Sequence, residues 1–125
     1  TESELVKAYL INGVDSNKVD EVSHQWESME RGLSDDSFWA FISGEEEETR
    51  MDFLFRVWMN ANELAEDSTD KHFLSRKFYE QIQNGENAYS VWGTIVRIYS
   101  TLCDWYDDYY FYHMNLLKHM NRVIS

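Results

Sequence analysis

Ser90-Val91-Trp92-Gly93-Thr94-Ile95-Val96 decides the fold reading of this chain. The stretch opens a strongly apolar segment that runs on through Ile98, Tyr99 and Leu102, just after an Asn84-Gly85 turn. Apolar residues at such spacing predict a helix that others wrap. A glycine in its first turns costs about 1 kcal/mol against alanine. That cost implies a second backbone close to Gly93, either another helix of the same chain or a helical ligand.

Working outward, the same periodicity predicts helices on both sides. Thr1-x-x-Glu4 reads as a capping box for a first helix with Leu5, Val6, Tyr9 and Leu10 on one face, closed by Gly13. Asp15 or Ser16 caps a second, whose Val19, Val22, Trp26, Met29 and Leu33 fall at three- and four-residue steps. Ser34 caps a short third helix carrying Phe38, Trp39, Phe41 and Ile42. Beyond Gly44, the run Glu45 to Glu48 suits the start of a fourth helix, which extends to about Asp67. Ser68 and Thr69 restart the chain for a fifth, with Phe73, Leu74, Phe78 and Ile82. The last segment, Trp105 to Ile124, repeats the helical period through Tyr106, Tyr109, Tyr110, Leu117 and Met120. One unbroken helix from Ser90 would overshoot a small globule, so a bend is expected near Cys103-Asp104. The expectation is an all-α single domain, residues 1 to 125, of about seven helices around a central apolar one.

Composition narrows the function classes. The chain is 43% hydrophobic and 16% aromatic, without proline, which fits a packed helical globule rather than a disordered tail. A formal charge of −12 opposes nucleic-acid binding and docking on anionic lipid. No apolar run reaches the roughly 20 residues of a membrane span. The lone Cys103 cannot form an intramolecular disulfide and fits a reducing compartment, so a cytoplasmic location is expected.

Catalytic patterns are thin. His24, His72, His113 and His119 lack metal-site spacing, and neither a nucleophile elbow nor a phosphate loop occurs. Asp104, Asp107, Asp108 and His113 are the one set that could meet around a metal, and helix capping explains those aspartates as well. No enzyme activity, cofactor or metal is expected. Tyr106, Tyr109, Tyr110 and Tyr112 suit either a half-exposed helix on the core or a partner surface.

The Asn84-Gly85 turn, Trp92-Gly93 and Ile95-Val96 together resemble the first homology motif of the Bcl-2 family of apoptosis regulators. Glu4-Leu5-Val6-x-x-Tyr9-Leu10 looks like that family's fourth homology motif. Val57 to Leu64 has the spacing of its death-ligand helix, with Asn62 where aspartate is usual. Val91 and Thr94 replace the motif's asparagine and arginine, and the second homology motif is not recognisable. The resemblance implies a compact, virus-encoded suppressor of cell death that holds the amphipathic death-motif helix of a pro-apoptotic partner in an apolar groove. It further implies recruitment to mitochondria through that partner. Met51, Phe55 and Trp58 from the fourth helix and Phe73 and Phe78 from the fifth would wall the groove. Val91, Trp92, Ile95 and Val96 would floor it, Gly93 would give clearance, and Arg97 would meet the ligand's carboxylate. An open cleft of this kind also offers a route to a homodimer. The competing reading is a death-domain-type adaptor that works through protein–protein contacts without a groove.

Overall fold

A computed structural model of the chain describes residues 2–42, 50–62, 73–83 and 87–124. Six α-helices account for nearly all of them: α1 Glu2–Gly13, α2 Val19–Leu33, α3 Asp36–Ile42, α4 Arg50–Ala61, α5 Phe73–Gln83 and α6 Ala88–Ile124, with a 3-10 turn at Ser16–Lys18. No strand occurs among the described residues.

Local chemistry sets the boundaries. The Asp35 carboxylate accepts hydrogen bonds from the Ser37 and Phe38 backbone N–H groups at 2.9 and 3.1 Å, so Asp35 rather than Ser34 caps α3. The Ser34 hydroxyl instead donates back to the Arg31 carbonyl at the end of α2, 2.6 Å away. Asn87 caps α6 by accepting from the Tyr89 and Ser90 N–H groups at 2.9 and 3.2 Å. The helix therefore starts two residues before Ser90. The opening of α5 is capped across the fold, where the Ser75 N–H donates to the Glu2 carboxylate at 3.0 Å. Thr1, Asn84-Gly85, Glu45–Glu48, Ser68 and Thr69, which the sequence assigns to caps and turns, lie outside the described residues.

The core follows the predicted apolar stripes. Val6 and Leu10 from α1 meet Val22, Trp26, Met29 and Leu33 from α2, and all are buried. Leu54, Phe55, Trp58 and Met59 of α4 lie against the first turns of α6, which contribute Ala88, Val91, Trp92 and Ile95. A chain of rings runs through this centre. Trp92 stacks on Trp26 at 5.5 Å, Trp26 tilts against Phe55 at 5.8 Å, and Phe55 and Trp58 meet Phe78 edge-on at 5.8 and 5.9 Å. Such offset and edge contacts add about 0.5–1.5 kcal/mol each beyond the area they bury. Arg50 ties α4 to its neighbours, donating to the Leu33 carbonyl at 2.6 Å and to Asp36 at 2.8 Å while lying over the Trp39 ring.

Two expectations about the last helix fail. α6 runs unbroken through Cys103-Asp104 for 37 residues, about 55 Å at 1.5 Å per residue, so the described residues hold six α-helices instead of about seven. No glycine or proline lies between Thr94 and Ile124 to break the hydrogen-bond ladder. Neither is α6 enclosed on every side: Ser90, Arg97, Ser100 and Thr101 are exposed, and from Asp107 to Val123 every residue is. The helix leaves the body after Tyr109: the Tyr106 ring meets Phe38 at 5.2 Å and Phe41 at 5.4 Å, and the Tyr109 ring meets Phe41 at 5.1 Å.

Candidate functional site

The eleven residues assigned to a groove separate into three environments. Met51, Phe55, Trp58, Phe78, Val91, Trp92 and Ile95 belong to the closed core, at 6% exposure or less. α5 packs chiefly on α1 and meets α4 through Phe78, whose ring lies against both Phe55 and Trp58. Phe73 is half-buried at the margin, with the Arg76 guanidinium and the Lys77 ammonium 5.7 and 5.8 Å from its ring centroid. Gly93 and Val96 are half-buried, Val96 at the edge of the core, and Arg97 is exposed on α6.

Trp92 and Gly93 have opposite roles. The Trp92 indole N–H donates to Gln25 Oε1 at 2.7 Å and the ring stacks on Trp26, so this tryptophan fastens α6 to α2. Gly93 is one residue on, about 100° around the helix. A Cβ built there meets no atom within 4 Å, so no second backbone of the described chain approaches it. The close approach occurs at Gly32 instead, where a Cβ would overlap the Tyr99 hydroxyl and come within 3.0 Å of Cζ. Periodicity offered no means of choosing between these glycines, because both interrupt helical patterns in the same way.

A cleft of about 290 Å³ opens between α2 and α6. Gln25, Ser28 and Met29 form one wall, and Val96, Tyr99, Ser100 and Cys103 the other. Val96 lies three residues after Gly93 and Ser100 seven, so helical geometry carries the open strip over Gly93 into this cleft. At its lower end the Tyr99 hydroxyl and the Cys103 thiol are hydrogen-bonded one turn apart. Burial first, then this bond and the neighbouring thiol, push the Tyr99 pKa up to about 12. Burial, reinforced by Asp107 and Asp104 and opposed by the bond from Tyr99, raises that of Cys103. Both groups are held neutral at physiological pH, so the cleft floor carries a thiol and a phenol with little nucleophilic character.

Arg97 projects from the exposed edge of this strip, and its Nη2 donates to the Thr94 hydroxyl at 3.1 Å, a bond within its own helix. Arg76, a further arginine that could serve as the charged anchor, lies 3.8 Å from Glu80 on α5. The helix with death-motif spacing ends at Ala61 with Trp58 and Met59 buried, while Glu63 and Leu64 lie outside the described residues. A second cavity, of about 450 Å³, separates α1, α2 and α4 and is lined by Glu4, Glu30 and Arg50 among others.

Gln25 and Tyr99 are the residues the sequence reading missed. Each is an ordinary polar or aromatic side chain in a helical pattern, with no motif to flag it. Among the described residues no three His, Cys, Asp or Glu side chains come together as they would around a metal. No described helix is long and apolar enough to cross a membrane. Comparison with protein-family models, curated proteins and solved structures gives no match.

Proposed function

We propose that this all-helical protein is a Bcl-2-like suppressor of apoptosis that captures the amphipathic death-motif helix of a pro-apoptotic protein. The observation that supports the reading is the open space over Gly93, about one helical turn before Val96 in the wall of the α2–α6 cleft. A helix-interior glycine without a neighbour costs stability and returns nothing inside the chain. A ligand backbone lying across that position would use the clearance. Val96 and Met29 would receive apolar ligand side chains one turn apart, and Arg97 would meet the ligand's acidic residue at the rim. The groove in this reading lies between α2 and α6, because the walls assigned to α4 and α5 are packed together through Phe78. Cytoplasmic location, recruitment to mitochondria through the partner and a viral origin belong to the same proposal.

Calorimetric titration with death-motif helix peptides tests it. Binding at tens of micromolar or tighter is expected. Gly93→Glu should abolish it with helical content intact, and Arg97→Ala should weaken it by about 1–3 kcal/mol. Absence of heat at those concentrations, or binding that survives Gly93→Glu, rejects the groove. The closed α4–α5 contact favours the second reading, a helical adaptor of death-domain type that acts through its surface.

A further inference from the structure

The buried face of α6 does not stop where the body stops. Ala88, Trp92, Ile95, Tyr99, Leu102, Tyr106, Tyr109, His113, Leu116, Met120 and Val123 follow one another at alternating three- and four-residue steps along a single helix. That is the seam of a left-handed helix pair, in which every first and fourth position of a heptad faces a neighbour. From Ala88 to Tyr106 the neighbour is the protein's own core. Tyr109 still touches the Phe41 ring at 5.1 Å, and beyond it no neighbour follows among the described residues: Tyr109, Leu116, Met120 and Val123 are 52%, 42%, 47% and 72% exposed. Tyr110 and Leu117 broaden the stripe at 55% and 42%. So large an apolar stripe marks an interface.

We infer that the projecting half of α6 pairs antiparallel with the same segment of a second copy. Three features favour a second copy over other occupants. The segment is polarised, with Asp104, Asp107 and Asp108 at its start and Lys118, His119 and Arg122 near its end. Antiparallel pairing sets each acidic end beside a basic one and opposes the helix dipoles, whereas parallel pairing stacks like charges. The seam is also self-complementary: Tyr109 would face Met120 of the second copy and His113 its Leu116. The pairing closes on a two-fold axis between Met114 and Asn115, as an isologous dimer must. Finally, six half-exposed side chains of on the order of 100 Å² each give roughly 1,200 Å² over both copies, the lower bound of a specific interface. Lipid is the poorer occupant, since three aspartates cluster at one end and the chain carries a charge of −12.

Sedimentation equilibrium of the full chain from about 1 to 200 μM tests the pairing. A monomer–dimer equilibrium in the micromolar range is expected. Tyr109→Glu combined with Met120→Glu should weaken it at least tenfold, whereas Phe111→Ser, off the seam, should leave it unchanged. Spin labels in a Cys103→Ser background read the orientation. Labels at Asn115 sit next to the axis and should lie close together. Labels at Asn121 should be farther apart by about 18 Å along the axis, from 1.5 Å per residue. Parallel pairing gives the same separation at both sites and overturns the proposal. So do a monomer at 200 μM, equal loss in Phe111→Ser, or a monomer that floats with phosphatidylcholine–phosphatidylserine vesicles.

Discussion

Replacing Gly93 by alanine should stabilise this protein, and the same replacement at Gly32 should destabilise it. Both residues are helical, and on propensity alone each change would gain up to about 1 kcal/mol, less at Gly32 because it sits next to the end of α2. Space separates them. At Gly93 the new methyl meets nothing within 4 Å, so the propensity gain stands undiminished at about 0.8–1 kcal/mol. For a chain of 125 residues that corresponds to a rise in Tm of about 3–6 °C. At Gly32 the methyl overlaps the Tyr99 hydroxyl. Tyr99 cannot simply swing away, because its ring meets Phe38 edge-on at 6.1 Å and its hydroxyl is bonded to Cys103. Overpacking of this kind costs about 1–3 kcal/mol and outweighs the propensity gain.

Urea unfolding followed by far-UV circular dichroism measures both differences. Adding Tyr99→Phe to Gly32→Ala removes the overlapping oxygen and should recover most of the loss, a coupling of about 1 kcal/mol between two residues in contact. A Gly93→Ala protein less stable than the parent would refute the reasoning, because an atom would then have to occupy the space over Gly93. Additive effects at Gly32 and Tyr99 would equally refute the contact between them.

Trp92→Phe should cost about 2–3 kcal/mol in the same assay, since it strips the Gln25 carbonyl oxygen of its donor and thins the stack on Trp26; a loss under 0.5 kcal/mol would show that Trp92 does not fasten α6. Glu2→Gln should lower stability by about 0.5–1 kcal/mol by weakening the cap on the Ser75 N–H, measured by urea unfolding at pH 7. Raising the pH should destabilise the fold through Tyr99. Its folded pKa, about 12, lies above the ordinary tyrosine value of 10.0, so the stabilisation is complete below pH 10 and declines as pH rises from 10 towards 12. Tyr99→Phe should flatten the stability profile over that window. Cys103 should react with Ellman's reagent more slowly in the folded protein than in urea at the same pH, because burial raises its pKa.

Much of the fold was legible because helical periodicity is a local signal. The stripes of α2 and α4 name the buried residues directly, and Val22, Trp26, Met29 and Leu33 occupy the positions their spacing requires. Caps were read less well. Ser34 and Asp35 are adjacent and chemically equivalent as caps, and only the geometry of the turn assigns one to α2 and the other to α3. The cap on α5 comes from Glu2, more than seventy residues away, which no local pattern encodes. The bend expected at Cys103-Asp104 was an argument from compactness, and the chain itself contains no residue that would make one. The ladder of an α-helix breaks where its hydrogen bonds are removed, not where the body behind it ends.

The Trp-Gly pair shows why a site is harder to read than a fold. A motif assigns two adjacent residues to one surface, yet adjacent residues on a helix point about 100° apart. Here that angle separates the core from the open strip. Trp92 is drawn inward by its stack on Trp26 and its bond to Gln25, and this leaves Gly93 facing away from α4 and α5. Any ligand that used the clearance at Gly93 would therefore lie along α2 and α6, beside Val96 and Arg97. Burying Phe55, Trp58 and Phe78 then does not count against a groove, because those residues would form its foundation and not its lining. The distinction is experimental. Trp58→Ala should lower stability by about 3–5 kcal/mol, as the loss of a buried tryptophan does. Peptide affinity measured on the fraction that remains folded should stay unchanged, whereas Val96→Glu, at a half-buried position on the edge of the core, should abolish binding by the folded fraction. If Trp58→Ala weakens the affinity of the folded fraction and Val96→Glu does not, the groove lies between α4 and α5 after all.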